Sequence, residues 1–103
     1  MYKLVFFTPS EAAQEVAKAA FDAGAGKIGH YDMCCFIAEG IGQFRPLEGS
    51  NPNIGEQNKL EFVKEAKIEM VCEDHLITRA VDAMVEAHPY ETPAYHVIKL
   101  ADL

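Results

Sequence analysis

Cationic side chains are scarce in this chain. Nine Lys and Arg stand against sixteen Asp and Glu, for a formal charge of −7 at neutral pH. A field of that sign repels phosphate backbones and anionic lipid surfaces, so neither nucleic acid nor a membrane is the expected partner. The cations also stand singly, as at Lys18, Lys27, Arg45 and Arg79, so they form no basic patch. Long apolar runs are missing too. Lys3 is followed only by the short run 4–7, too short for a signal peptide and far below the ~20 residues of a membrane span. Cysteine is limited to Cys34, Cys35 and Cys72, an odd number with two adjacent, which makes a poor disulfide framework. Reduced thiols and a cytoplasmic location are expected. The segment rich in glycine holds no Gly followed by Lys and Ser or Thr, which excludes a Walker-type phosphate loop.

What remains is a globular composition, half apolar and 24% charged, in 103 residues. That length suits one domain spanning residues 1–103. Proline and glycine are unevenly spread. HPYETPAY at 88–95 and GIGQFRPLEGSNPNIGE at 40–56 hold four of the five prolines and four of the seven glycines, so chain geometry is fixed at two places.

Residues 2–7 are rich in aromatic and branched side chains and predict a strand. Thr8, Pro9 and Glu11 form a capping signal for a helix, with Ala13, Val16, Ala17, Ala20 and Phe21 as its apolar stripe and Gly24 and Gly26 as its stop. The plan then repeats. Ile68, Met70 and Cys72 alternate as a strand, Asp74 is an N-cap candidate, and Ile77, Ala80, Val81, Met84 and Val85 carry helical spacing. The halves superpose at an offset of 64, which also aligns Leu4 with Ile68, Phe6 with Met70 and Tyr31 with Tyr95, each tyrosine standing where a further strand should begin. Those strands are expected at 33–39 and 94–100. The βαββαβ order predicts an α+β, ferredoxin-like fold: a four-stranded antiparallel sheet with its first and third strands central and both helices on one face. Strand alternation then sends Val5, Phe7 and Val71 to the other face. An apolar strip there is expected to be covered, by a second subunit or by an extended loop.

Pro89 and Pro93 disfavour helical geometry at His88 and Thr92, so this turn is held extended. His88 falls near a helix C-terminus, where its protonated form would interact favourably with the helix dipole, and it is equally a candidate metal ligand. Glu91 is a solvated loop glutamate or a partner for a cation from a neighbouring subunit. Gly40 and Gly42 allow close backbone approach, while Gln43, Phe44 and Arg45 offer an amide, an apolar anchor and a guanidinium in succession. Adjacent Cys34 and Cys35 on a strand point to opposite faces and do not readily ligate one ion together. A metal site would need His30, Cys34 and His88 to converge. His75 reads as a surface residue at a helix start and His96 as a strand residue.

GKIGHYDMCCF at 26–36, GIGQFRPLEGSNPNIGE at 40–56 and HPYETPAY at 88–95 resemble the domain inserted in YqfO-type dinuclear metal-centre proteins, the NGG1-interacting-factor-like family. The resemblance covers nearly the whole chain and implies a fold similar to CutA and PII proteins. It implies a homo-oligomer, a trimer or otherwise a dimer, with the 40–56 connection at a subunit boundary. The metal-binding flanking domains of the larger family members have no counterpart here, so the insert is expected to stand alone and their activity is not carried over. The expected role is a non-enzymatic binding or regulatory module for a divalent metal ion or small ligand. A metal- or cysteine-dependent enzyme and a purely structural domain that engages a partner protein are the alternatives.

Overall fold

The computed structural model describes residues 1–103. Strand β1 runs over Tyr2–Pro9 and helix α1 over Ala13–Asp22, with a 3-10 turn at Ser10–Ala12 between them. Strands β2 (Phe36–Phe44) and β3 (Glu61–Cys72) follow, then a 3-10 turn at Asp74–Leu76, helix α2 (Ile77–Ala87) and strand β4 (Tyr95–Lys99). The sheet order is β2-β3-β1-β4, with every neighbouring pair antiparallel. The first and third strands are therefore central, as the pattern of residues predicts.

Period-two alternation puts Leu4 and Phe6 of β1 on one face with Ala66, Ile68, Met70 and Cys72 of β3. Both helices turn their apolar stripes onto that face. Val16, Ala17, Ala20, Ala80 and Met84 are fully buried there in one core cluster with the strand residues. The alanines keep the helices close to the sheet, and Phe6, Leu4 and Ile68 fill the space between. Full burial of each large side chain contributes about 1.5–3 kcal/mol.

The helix starts differ from expectation. Pro9 is still extended (φ −48°, ψ 137°), so Thr8 stays in the strand, fully buried, and caps no helix. Three residues of 3-10 turn intervene, and α1 begins at Ala13 without a side-chain cap. Asp74 likewise caps nothing. Its carboxylate takes the amino group of Met1 and, at 2.6 Å, Lys99 Nζ, which ties the chain start to β4.

β2 lies further along the chain than the predicted 33–39. Ile28 and Tyr31 close a tight turn by bridging one another, and Met33 adopts a left-handed φ of 54°. Tyr31 therefore begins no strand. Gly26 anchors this loop: its N–H donates to the Val71 carbonyl at 2.8 Å and its own carbonyl accepts from Cys34 N–H at 2.8 Å. With φ at +79°, and with a Cβ there meeting the Phe21 ring at 2.7 Å, only glycine fits. β2 then carries through Gly40 and Gly42 to Phe44, because β3 extends back to Glu61 and supplies partners for the glycine segment.

That extension makes a ribbon. β1 pairs with β3 only as far as Pro9 opposite Glu65, so residues 41–44 and 61–64 run on without β1 beside them. Ile41 and Phe62 on the ribbon are 72% and 59% exposed.

The helix-free face carries Lys3, Val5 and Phe7 of β1, with Glu69 and His96 opposite Val5. Val5 is only 3% exposed although it stands outside the core cluster. Val5 is thus covered within the chain, whereas Phe7 and Val71 stay partly exposed, and Phe7 lines a cleft under the β2–β3 connection, in line with the loop alternative. Lys3 and Glu69 pair at 2.6 Å on the same face.

Candidate binding cleft

His88 organises one end of the helix-free face. It is the C-cap of α2, its N–H bonding the carbonyls of Met84 (3.0 Å) and Val85 (3.3 Å), and the following Pro89 holds it extended at ψ 137°. The imidazole turns back to the sheet. Phe7 N–H donates to the Ala94 carbonyl at 3.2 Å, and the Phe7 carbonyl lies 2.6 Å from His88 Nε2. Tyr90 N–H donates to His88 Nδ1 at 3.0 Å. The two contacts fix the tautomer by inference from the network: Nε2 carries the hydrogen and donates, and Nδ1 accepts. Burial lowers the pKa of this ring, against the opposing effects of the Phe7 carbonyl and the nearby Glu65 charge. The role inferred from helix polarity, a protonated imidazole at the dipole, is thus replaced by that of a neutral bridge between β1 and the 88–95 turn.

Tyr90 stands over the sheet beside this bridge. Its hydroxyl donates to Glu65 Oε2 at 2.7 Å, and its ring meets that of Phe44 edge-on at 5.7 Å. Burial, then the hydrogen bond to Glu65, pushes the phenol pKa well above its usual value. Gly42 makes room for this pair. A Cβ at that position would overlap the Glu65 carboxylate, so the strand glycine is a notch for an acidic side chain.

The connection between β2 and β3 closes the other side. Within it, Asn58 N–H donates to the Pro46 carbonyl at 2.6 Å, Ser50 Oγ donates to the Leu47 carbonyl at 2.6 Å, and Gln57 Nε2 donates to the Ser50 carbonyl at 3.0 Å. Glu91 Oε2 accepts Asn51 N–H at 3.1 Å and joins this arm to the 88–95 turn. Between arm, turn and sheet lies a cleft of about 260 Å³. Phe7, Phe44, Tyr90, Pro52 and Ile54 give it apolar walls, and Glu65, Glu91 and Asn53 give it polar groups. No lysine or arginine lines it.

Of the residues singled out from sequence, Gln43, Phe44 and Glu91 line the cleft, and Gly42 lies under its acidic group. Gly40 has open space where a side chain would stand, and Arg45 is exposed and outside the lining. Glu65 and Tyr90 were not singled out, and Phe7 was expected only as part of the apolar strip on the helix-free face. Tyr90 sits inside the motif, but Glu65 lies in the part of β3 that the alternation of 68–72 did not reach.

His30, Cys34 and His88 do not converge. The chain brings together no group of three His, Cys, Asp or Glu side chains able to hold an ion, and both ring nitrogens of His88 are engaged within the chain. Cys34 and Cys35 instead border a shallow depression with Lys3, Phe36 and Glu69 at the opposite end of the helix-free face. Burial, then Cys34, raises the Cys35 thiol, and burial raises Cys72. Neither is poised as a thiolate nucleophile.

No family model matches this chain. Curated proteins do. A GTP cyclohydrolase 1 type 2 homolog of Halalkalibacterium halodurans is 47% identical over 102 residues, 99% of this chain, and that of Bacillus subtilis is 43% identical over 95 residues. A crystal structure of a Bacillus cereus protein related to NIF3 superposes with a TM-score of 0.83 at 44% identity over 98% of the chain. The chain is a homologue of one segment of these NIF3-related proteins. It spans about a quarter of their length, 27% and 26% of the two curated relatives and 26% of the B. cereus chain. CutA1 of Pyrococcus horikoshii superposes with a TM-score of 0.71 at 20% identity, over all of this chain and 86% of that one. A PII-like CutA protein of Nostoc gives 0.69 at 17% identity. These identify the fold as the CutA/PII-like form of the ferredoxin-like arrangement. No helix is long and apolar enough to cross a membrane.

Proposed function

We propose that this NIF3-related segment is a non-enzymatic binding module that takes a small ligand in the cleft between the 45–60 arm and the 88–95 turn. One observation carries the reading: two separate loops are tied across the same sheet face, by Asn51 to Glu91 and by Tyr90 to Glu65, and leave an ordered concavity between them. A mostly apolar cleft with a few placed polar groups is the usual form of a small-molecule site. A rigid frame also lowers the ordering cost of binding. The raised Cys35 and Cys72 thiols weigh against thiolate chemistry at those two residues.

The reading extends to self-association. β2 is an edge strand of nine residues, and Phe36 and Ile41 on it are 67% and 72% exposed, with Phe62 of the adjoining β3 59% exposed. Such an edge is a template for pairing with another chain, and a second copy of this chain is the proposed partner.

Thermal melts across a library of small metabolites test the binding role. A ligand present at ~100 times its Kd stabilises the folded chain by about 2.7 kcal/mol. The expected hit raises the melting temperature of the wild type and not of Phe44→Ala. If no compound acts, or if the variant responds equally, the cleft is not the site.

A further inference from the structure

We infer that the occupant of this cleft is a small organic cation, an amidinium or protonated amine carried on a flat or aliphatic body. The inference rests on the binding role proposed above and narrows it to a ligand class.

The charges inside the cleft have one sign. Glu65 and Glu91 both line it, no Lys or Arg does, and neither carboxylate belongs to any of the ion pairs in the chain. The carboxylates that do pair with a cationic group, Asp22, Glu56, Glu69 and Asp74, all lie outside the cleft. Glu65 is half-buried, and only one of its oxygens, Oε2, is used, by the Tyr90 hydroxyl. Oε1 lies over the Gly42 notch and accepts from no group of the chain. A partly desolvated carboxylate without a counter-ion favours a cation delivered from outside.

The apolar walls say what kind of cation. Phe7, Phe44 and Tyr90 present aromatic surface beside the carboxylates, an arrangement that attracts a soft organic cation through the ring quadrupole as well as through charge. A bare divalent metal would want several oxygen ligands at short range, and no third acidic, histidine or cysteine side chain joins these two. An anion meets two carboxylates and no compensating donor side chain of positive charge. The volume of about 260 Å³ gives room for a ring and its charged head.

Three isosteric probes separate the possibilities: benzamidine, benzamide and benzoate, each titrated while the amide signals of Phe44, Asn51 and Tyr90 are followed by nuclear magnetic resonance. Benzamidine is expected to shift these signals saturably, with benzamide at least about tenfold weaker, the size of one charge-assisted hydrogen bond, and benzoate inert. Glu65→Gln keeps an acceptor for the Tyr90 hydroxyl and should weaken benzamidine about tenfold while leaving benzamide unchanged. If benzamide or benzoate binds as well as benzamidine, or if Glu65→Gln binds benzamidine like wild type, the cation inference is overturned although the cleft remains a site. If none of the three shifts these signals, the cation inference falls for this probe scaffold, and the metabolite melts decide separately whether the cleft binds anything.

Discussion

Replacing His88 by alanine removes the hydrogen bond that ties its ring to β1 and the one that folds the turn back onto that ring. The Phe7 carbonyl loses its Nε2–H donor and the Tyr90 N–H loses its Nδ1 acceptor, at a residue only 7% exposed. An unsatisfied buried polar group costs about 1–3 kcal/mol, and the turn is near enough to solvent for water to recover part of each loss. The expected destabilisation is therefore about 2–4 kcal/mol, well above the 0.3–1 kcal/mol of a surface charge at a helix terminus. Urea unfolding followed by circular dichroism at pH 7.5, at one fixed protein concentration, measures it. The pH dependence adds an independent check. Because burial lowers the folded-state pKa of His88 below its unfolded value near 6.5, the unfolded chain binds the proton more readily. The contribution of the neutral bridge is complete above that unfolded value and is lost as pH falls from there through the lower folded-state pKa. Wild type should thus lose stability between pH 7 and 5.5, and His88→Ala should lose less over the same interval. A variant within about 0.5 kcal/mol of wild type at pH 7.5, with the same pH profile, would refute the bridge.

Two further outcomes follow from the frame of the cleft and one from the sheet edge. Among the four tyrosines, Tyr90 should ionise last in a spectrophotometric titration, and Tyr90→Phe should abolish that late component at a cost of about 1 kcal/mol, the scale of one hydrogen bond. Gly42→Ala should evict the Glu65 carboxylate and shift the late component toward lower pH, with less than about 1.5 kcal/mol lost because only the end of a flexible side chain has to move. An unaltered titration in Gly42→Ala would mean that the notch does not position Glu65. Ile41→Asp with Phe62→Asp should lower the mass seen by light scattering while circular dichroism stays unchanged, and a wild type already monomeric at micromolar concentration would contradict assembly through the β2 edge.

The helix stripes and the faces of β1 and β3 were legible because burial imposes a period. Val16, Ala17, Ala20, Ala80 and Met84, read off as 3.6-residue stripes, are all fully buried. The starts of α1 and α2 were not, since Thr8 and Asp74 have the chemistry of caps but are claimed by the strand interior and by an ion pair with Lys99. Gly40 and Gly42 read as loop because glycine weakens a strand in isolation. Pairing with the long β3 overrides that preference. In the cleft, the rigidity of the 88–95 turn was visible in Pro89 and Pro93, whereas its meaning was not. The partners of His88, Tyr90 and Glu91 are Phe7, Glu65 and Asn51, up to 81 residues away, and no local pattern announces such contacts.

The claim that the arm and the turn together form a ligand site is tested most directly by mapping amide shifts across the whole chain with a stabilising compound from the melts. Shifts concentrated in residues 43–54 and 88–94, with Phe7 and Glu65, are the predicted result. Saturable shifts confined to the helix side of the sheet, or to the Cys34–Phe36 end of the open face, would contradict it.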